Sequence, residues 1–99
     1  MLPKKRPNHP GIFIKEDILK EFAISEEEFA VAVGVSPEII YKIINEEQRI
    51  TADFALRLGR FTNTTPELWL NLQLAVDLWD AHHSPNFQAI KNIQPFIAA

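Results

Sequence analysis

The side chains best able to do chemistry in this chain are few, and their spacing favours binding over catalysis. Glu26, Glu27 and Glu28 run together. The first turn of a helix favours such acidic residues, because its unpaired amides and aligned peptide dipoles are positive there. No serine, histidine and aspartate fall into a nucleophile–base–orienter pattern, and no glycine-rich loop is spaced to cradle phosphate. His82 and His83 are adjacent, so on a helix they project about 100° apart and cannot grip one ion together. They fit the end of a helix, where a positive charge is favoured. Cysteine is absent, which removes thiolate metal sites, disulfides and thiol nucleophiles. No enzyme, metal centre or cofactor is expected. What remains are contact residues: Ile39, Tyr41 and Lys42 on the outward side of a short helix, and the basic triplet Lys4, Lys5 and Arg6. Ile39 is expected to tuck against the preceding helix rather than reach out.

These residues are positioned by a run of short amphipathic elements. Residues 1–11 hold three prolines and the basic triplet, the composition of an extended arm. Ile14, Ile18 and Phe22, spaced by four, predict a first helix over 11–22. Ser25 with Glu28 is a capping box opening a helix over 26–33, whose inner face is Phe29, Ala30 and Val33, and Gly34 stops it in the left-handed conformation. Ser36 as cap and Pro37 at the first helical position start the next, over 37–45, with Ile40, Ile43 and Ile44 inward. Two capped helices joined through a glycine turn form a helix-turn-helix pattern. Thr51 and Asp53 open a fourth helix over 52–62 carrying Phe54, Leu58 and Phe61, with Asn63 as its C-cap.

Thr65-Pro66-Glu67 opens a fifth helix that runs to His82 and shows two apolar stripes. One stripe holds Leu68, Trp69, Leu72, Ala75, Val76 and Trp79; the other holds Leu70, Leu74 and Leu78; Gln73, Asp77 and Asp80 share the polar remainder. One stripe can cover the domain's own core. The second needs another cover, and a second copy of the chain is the simplest. From Asn86 to Phe96 the pattern weakens to a short strand or a frayed helix broken before Pro95. The chain therefore divides into an arm (1–11), a helical domain (12–83) and a tail (84–99).

Ninety-nine residues with 46% hydrophobic and 23% charged content suit one small globular domain, not a disordered chain. No apolar run is long enough to span a membrane, and no signal-peptide pattern follows the basic triplet. A cytoplasmic location is expected. Ten basic residues against thirteen acidic ones leave a net charge of −3, the opposite of the surplus usual in nucleic-acid binders.

Three stretches, HPGIFIKEDILKEF, SEEEFAVAVGVSPEIIYKIINEEQRIT and TNTTPELWLNLQLAVDLWDA, resemble the HigA antitoxins, a group within the Xre/Cro-type helix-turn-helix repressors often labelled virulence-associated protein I. The resemblance covers roughly residues 8–82. It implies an all-α, five-helix Xre/Cro-like domain followed by a short tail that could run extended. It also implies the function of a type II antitoxin: a homodimer that neutralises a RelE-type, mRNA-cleaving toxin by direct binding and represses its own operon at a palindromic operator. The alternative is a free-standing DNA-binding repressor with no toxin partner.

By position, the resemblance places Ser36 against a phosphate, Pro37, Glu38 and Lys42 at the slots that meet base edges, Tyr41 beside them and Asn45 near the backbone at the helix end. Arg49 is a further cation expected at this DNA face, and Leu70, Leu74 and Leu78 are the expected dimer contacts. The chain also departs from the family pattern. Relatives often carry Asn-Gly-Lys-Arg where this sequence has Asn45-Glu46-Glu47-Gln48, and Glu26 stands where an uncharged phosphate-contacting residue is usual. Between Glu26 and Ile50 six glutamates face only Lys42 and Arg49. Since neutralised phosphates supply most affinity for DNA, the free protein is expected to bind its operator modestly.

Overall fold

The computed structural model describes residues 3–97. Within them the chain forms α1 (Pro10–Phe13), a π-helical continuation (Ile14–Lys20), α2 (Glu26–Val33), α3 (Pro37–Ile44), α4 (Ala52–Thr62), α5 (Pro66–His82) and α6 (Phe87–Lys91). No strand forms among the described residues.

The caps are largely those the sequence dictates. Ser25 Oγ accepts from the Glu28 amide at 3.0 Å while the Glu28 carboxylate accepts from the Ser25 amide at 2.9 Å, which closes the capping box and holds Glu28 below the usual carboxylate range. Gly34 is left-handed at φ 75° and ends α2. Thr51 caps α4, Asn63 ends it at φ 57°, and Thr65 with Pro66 opens α5. Ser36 is the exception. It occupies the cap position of α3, but its hydroxyl makes no capping bond.

The first helix differs from a regular 3.6-residue pattern. Beyond Phe13 the backbone widens into a π-helix, whose hydrogen bonds close at i→i−5 rather than i→i−4. The wider turn brings Leu19, five residues after Ile14, into the core beside Ile18. It leaves Phe22, expected inside, 54% exposed and touching Phe61 edge-on at 6.4 Å. The core itself is built from Ile14, Ile18, Phe29, Ile40, Ile43, Ile50, Phe54, Leu58 and Trp69, with Ile44 and Ile39 packed at its margin. Ile39 thus packs inward, as its neighbours predict.

On α5 the inner face is Trp69, Gln73 and Val76. Leu68 and Ala75, assigned by periodicity to the inner stripe, are exposed, whereas the glutamine assigned to the polar side is buried. Leu70 packs partly against the core, so the outer apolar stripe reduces to Leu74 and Leu78, 52% and 55% exposed. The C-terminal stretch resolves as the one-turn α6 with no buried residue, followed by irregular chain. No helix among the described residues is long and apolar enough to cross a membrane.

Candidate nucleic-acid interface

α3 is held from three sides, and each hold has an identifiable chemical cause. At its start, the turn from α2 is fastened by Arg57 of α4, whose Nη1 donates to the carbonyls of Val33 and Gly34 at 3.0 and 3.2 Å. These carbonyls at the end of α2 lack helical partners and carry partial negative charge, so a guanidinium suits them. Asp53 orients it from the same helix at 2.6 Å. Along its back, α3 receives α1 in direct backbone contact. Gly11 lies so close that a Cβ built there would stand 2.1 Å from the Ile43 carbonyl oxygen.

Beyond its end, the loop to α4 is anchored by the buried Gln73. Its Oε1 accepts from the Ile50 amide at 2.8 Å, and its Nε2 donates to Asp77 at 3.0 Å. Asp77 also receives the Arg49 guanidinium. Desolvation opposes ionisation of Asp77, but the hydrogen bonds from Arg49 and Gln73 outweigh it and hold the carboxyl below its usual range. Gln73 and Asp77, one helical turn apart, thus account for the polar positions in the PELWLNLQ and DLW segments of α5. They fix the loop that follows the exposed helix.

Glu46 within that loop has φ 60°. A left-handed backbone costs a non-glycine residue about 1–2 kcal/mol. The Glu46 carboxylate accepts from Arg6 at 2.9 Å, while Arg6 also makes a two-pronged contact with Asp80 at 2.8 and 3.0 Å. The basic arm is therefore not wholly free. Arg6 is tied to both α5 and the loop, and the residues from His9 to Gly11 are buried. Arg6, His9, Glu46, Arg49, Asp77 and Asp80 line a cleft of about 130 Å³ between them.

His9 is a functional group that periodicity does not reveal. Only 3% exposed, it caps α1, its Nδ1 accepting from the Gly11 amide at 3.0 Å. Burial pushes its pKa below the ordinary histidine range, against the pull of Glu46, Asp77 and Asp80 and with the repulsion of Arg6. The folded state thus prefers neutral His9, while the unfolded chain protonates normally near pH 6.5. Its contribution to stability is full above that value and is lost as pH falls through the depressed folded value. Urea denaturation at pH 7.5 and 5.5 should show wild type losing stability on acidification. His9→Asn keeps a capping oxygen without this titration, and its loss should be smaller. Equal losses would remove His9 as the cause.

The exposed side of α3 presents Ser36, Pro37, Glu38, Tyr41, Lys42 and Asn45 together. Lys42 sits 3.4 Å from Glu38 one turn earlier, and the Tyr41 phenol donates to the Glu27 carboxylate on α2. Arg49 is not part of this exposed row: it lies beyond the helix and reaches to Asp77 on α5, with its side chain two-thirds exposed. At the far end of α5, His83 stacks on Trp79 and bonds its carbonyl through Nδ1 at 2.8 Å, and His82 packs against Phe87 of α6. His82 thus joins the tail to the helix, while His83 packs back on α5 itself.

A helix-turn-helix family model matches residues 15–69. Antitoxin HigA-1 of Vibrio cholerae is 34% identical over 96 residues, covering 97% of this chain and 90% of that protein. Among solved structures, Pseudomonas aeruginosa antitoxin HigA with the higBA promoter superposes with a TM-score of 0.84 at 37% identity, over 93% of this chain and all of that one. The antitoxin GraA in complex with its operator superposes at 0.85 with 38% identity, over 99% of both chains.

Proposed function

This chain belongs to the helix-turn-helix family that includes the HigA antitoxins, and on that premise we propose that it is a homodimeric operator-binding repressor that also neutralises a RelE-type toxin by direct contact. The family is one of DNA-binding regulators, not enzymes. The observation that carries the reading is the rigid display of α3. Both its ends and its back are fastened, while its outer side keeps Ser36, Tyr41, Lys42 and Asn45 in solvent. A helix so presented fits the major groove. Related proteins have been solved with promoter and operator DNA. The unused Ser36 hydroxyl suits a phosphate contact. Glu38, Tyr41 and Lys42 suit base edges, with Pro37 packing beside them and Asn45 at the backbone. Arg49 would add a phosphate contact by sharing itself with Asp77. A partner that binds DNA and stops a ribosome-dependent toxin works in the cytoplasm.

Dimerisation is assigned to the outer stripe of α5, with Leu74 and Leu78 at its centre and the outer edge of Leu70 beside them. Covering a leucine side chain fully contributes about 1.5–3 kcal/mol, so the leucines of two copies together offer a gross gain comparable with the cost of association. Leu74→Glu is already on an exposed site and should leave the monomer folded, yet sediment as monomer where wild type is dimeric at micromolar concentration. A monodisperse wild-type monomer would contradict the assignment.

The functional test is a titration of labelled operator with and without toxin at two salt concentrations. The acidic loop, with Glu46 and Glu47 beside α3, should give the free protein modest affinity and a shallow salt slope. A basic toxin should tighten the complex by screening that charge. Glu47→Lys should raise the affinity of the free protein. Nanomolar binding by the free protein with a steep salt slope would overturn the reading of the acidic face. Operator binding with no association to any basic toxin would leave a free-standing repressor.

A further inference from the structure

Ser36 and Asn45, at the two ends of α3, are set against phosphates, and the positions between them that are set against base edges are short of hydrogen-bond donors, with a consequence for which bases they can read. Glu38 can only accept. Lys42 can only donate, and Glu38 lies 3.4 Å from its ammonium. Pro37 has neither a side-chain polar atom nor an amide proton. Tyr41 would ordinarily serve as donor or acceptor, but its one proton is committed to the Glu27 carboxylate of α2, a residue that stands on the same solvent side of the two-helix unit. What the phenol then offers outward is an oxygen lone pair.

We propose that Glu27 and Tyr41 form one base-reading unit, in which Glu27 is a positioning residue that fixes the Tyr41 phenol as an acceptor, so that the base it meets in the major groove presents an amine. The inference rests on the DNA-binding reading of α3 and specifies what that face selects. Amine donors on major-groove edges belong to cytosine N4 and adenine N6, whereas guanine O6 and N7 and thymine O4 are acceptors. An acceptor phenol therefore favours cytosine or adenine at the base it touches, with Glu38 acting in the same sense on a neighbouring step. Without Glu27 the hydroxyl rotates freely and tolerates either kind of edge.

The test is selection of bound duplexes from a randomised library, followed by sequencing, with wild type, Glu27→Ala and Tyr41→Phe, each first checked for a native thermal transition. Glu27 is exposed, so Glu27→Ala is expected to fold. Wild type should enrich a site in which one base pair shows an amine-bearing base over the alternatives by about fivefold to tenfold, the scale of one net hydrogen bond. Glu27→Ala should flatten the preference at that pair alone, admitting guanine and thymine. Tyr41→Phe should lose the same preference while the remaining positions of the site stay enriched. A site enriched equally by wild type and Glu27→Ala at every position overturns the inference and leaves the repressor reading standing. A preference for guanine or thymine at the pair sensitive to Tyr41→Phe overturns it as well. Failure of wild type to enrich any sequence overturns both.

Discussion

Replacing Gly11 with alanine is expected to destabilise the domain by about 3 kcal/mol, the upper part of the range for forcing volume into a packed site. The methyl group would stand 2.1 Å from the Ile43 carbonyl oxygen and 2.9 Å from its carbon. The obstacle is backbone rather than a flexible side chain, so no rotamer change relieves it. The first helix must withdraw from α3, which loosens His9, whose ring caps it from the residue before Pro10. In a domain of this size, 3 kcal/mol is a large fraction of the total stability, and the midpoint of thermal unfolding should fall by more than 10 °C on the usual relation between the two for about 100 residues. A shift below about 2 °C would mean that α1 and α3 do not approach as described. Because α3 carries the residues proposed to face DNA, operator affinity should fall with the same substitution even below the melting transition.

Gln73→Leu should cost about 2 kcal/mol, despite replacing a polar residue by an apolar one of similar volume at a site 2% exposed. Simple burial arithmetic predicts stabilisation here. The opposite sign follows from hydrogen bonding: the Ile50 amide is buried, Gln73 supplies its acceptor, and leucine would leave that donor unmet. Asp77 would also lose one of its two donors. Measured by urea denaturation, a neutral or stabilising effect would show that water or a shifted Asp77 takes over the amide. Gln73→Glu retains the acceptor but sets a second carboxylate against Asp77, so its defect should shrink on acidification as one of the two carboxylates protonates.

Caps and core positions were legible because their chemistry is local. Ser25 with Glu28, Gly34, Thr51, Asn63 and Thr65-Pro66 each act within four residues of themselves, and the helices they bound fall where the sequence puts them. The misplacements arise where a distant element decides. Phe22 and Leu19 exchange roles because the π-helical turn changes the period, and nothing local in the segment announces the wider turn. Gln73 is polar on any scale, yet it is buried because the Ile50 amide, 23 residues away, requires an acceptor. Leu70 faces the same side as Leu74 by spacing alone, but the proximity of the core at that end of α5 covers it. Of the residues proposed from resemblance to face DNA, Arg49 lies beyond α3, while Ser36, Pro37, Glu38, Tyr41, Lys42 and Asn45 stand together on its exposed side. Their tethers, Arg57, Gln73, Asp77 and Glu27, lie on other helices and could not be read from α3 alone.

The ties from Arg6 to Asp80 and from Ile50 to Gln73 also bear on when the protein can begin to work. Both join early segments to the last long helix made, across 74 and 23 residues. A ribosome adding about 5–20 residues per second completes this chain in seconds. α3 is complete at Ile44, well before Gln73 is added, and over that stretch of synthesis it lacks the clamp that fixes its following loop. An N-terminal fragment carrying the whole helix-turn-helix but ending before Gln73 lacks that clamp, and on the proposed reading of α3 it is expected to compete poorly for the operator. The same fragment also ends before Leu74 and Leu78, the leucines proposed for the dimer contact.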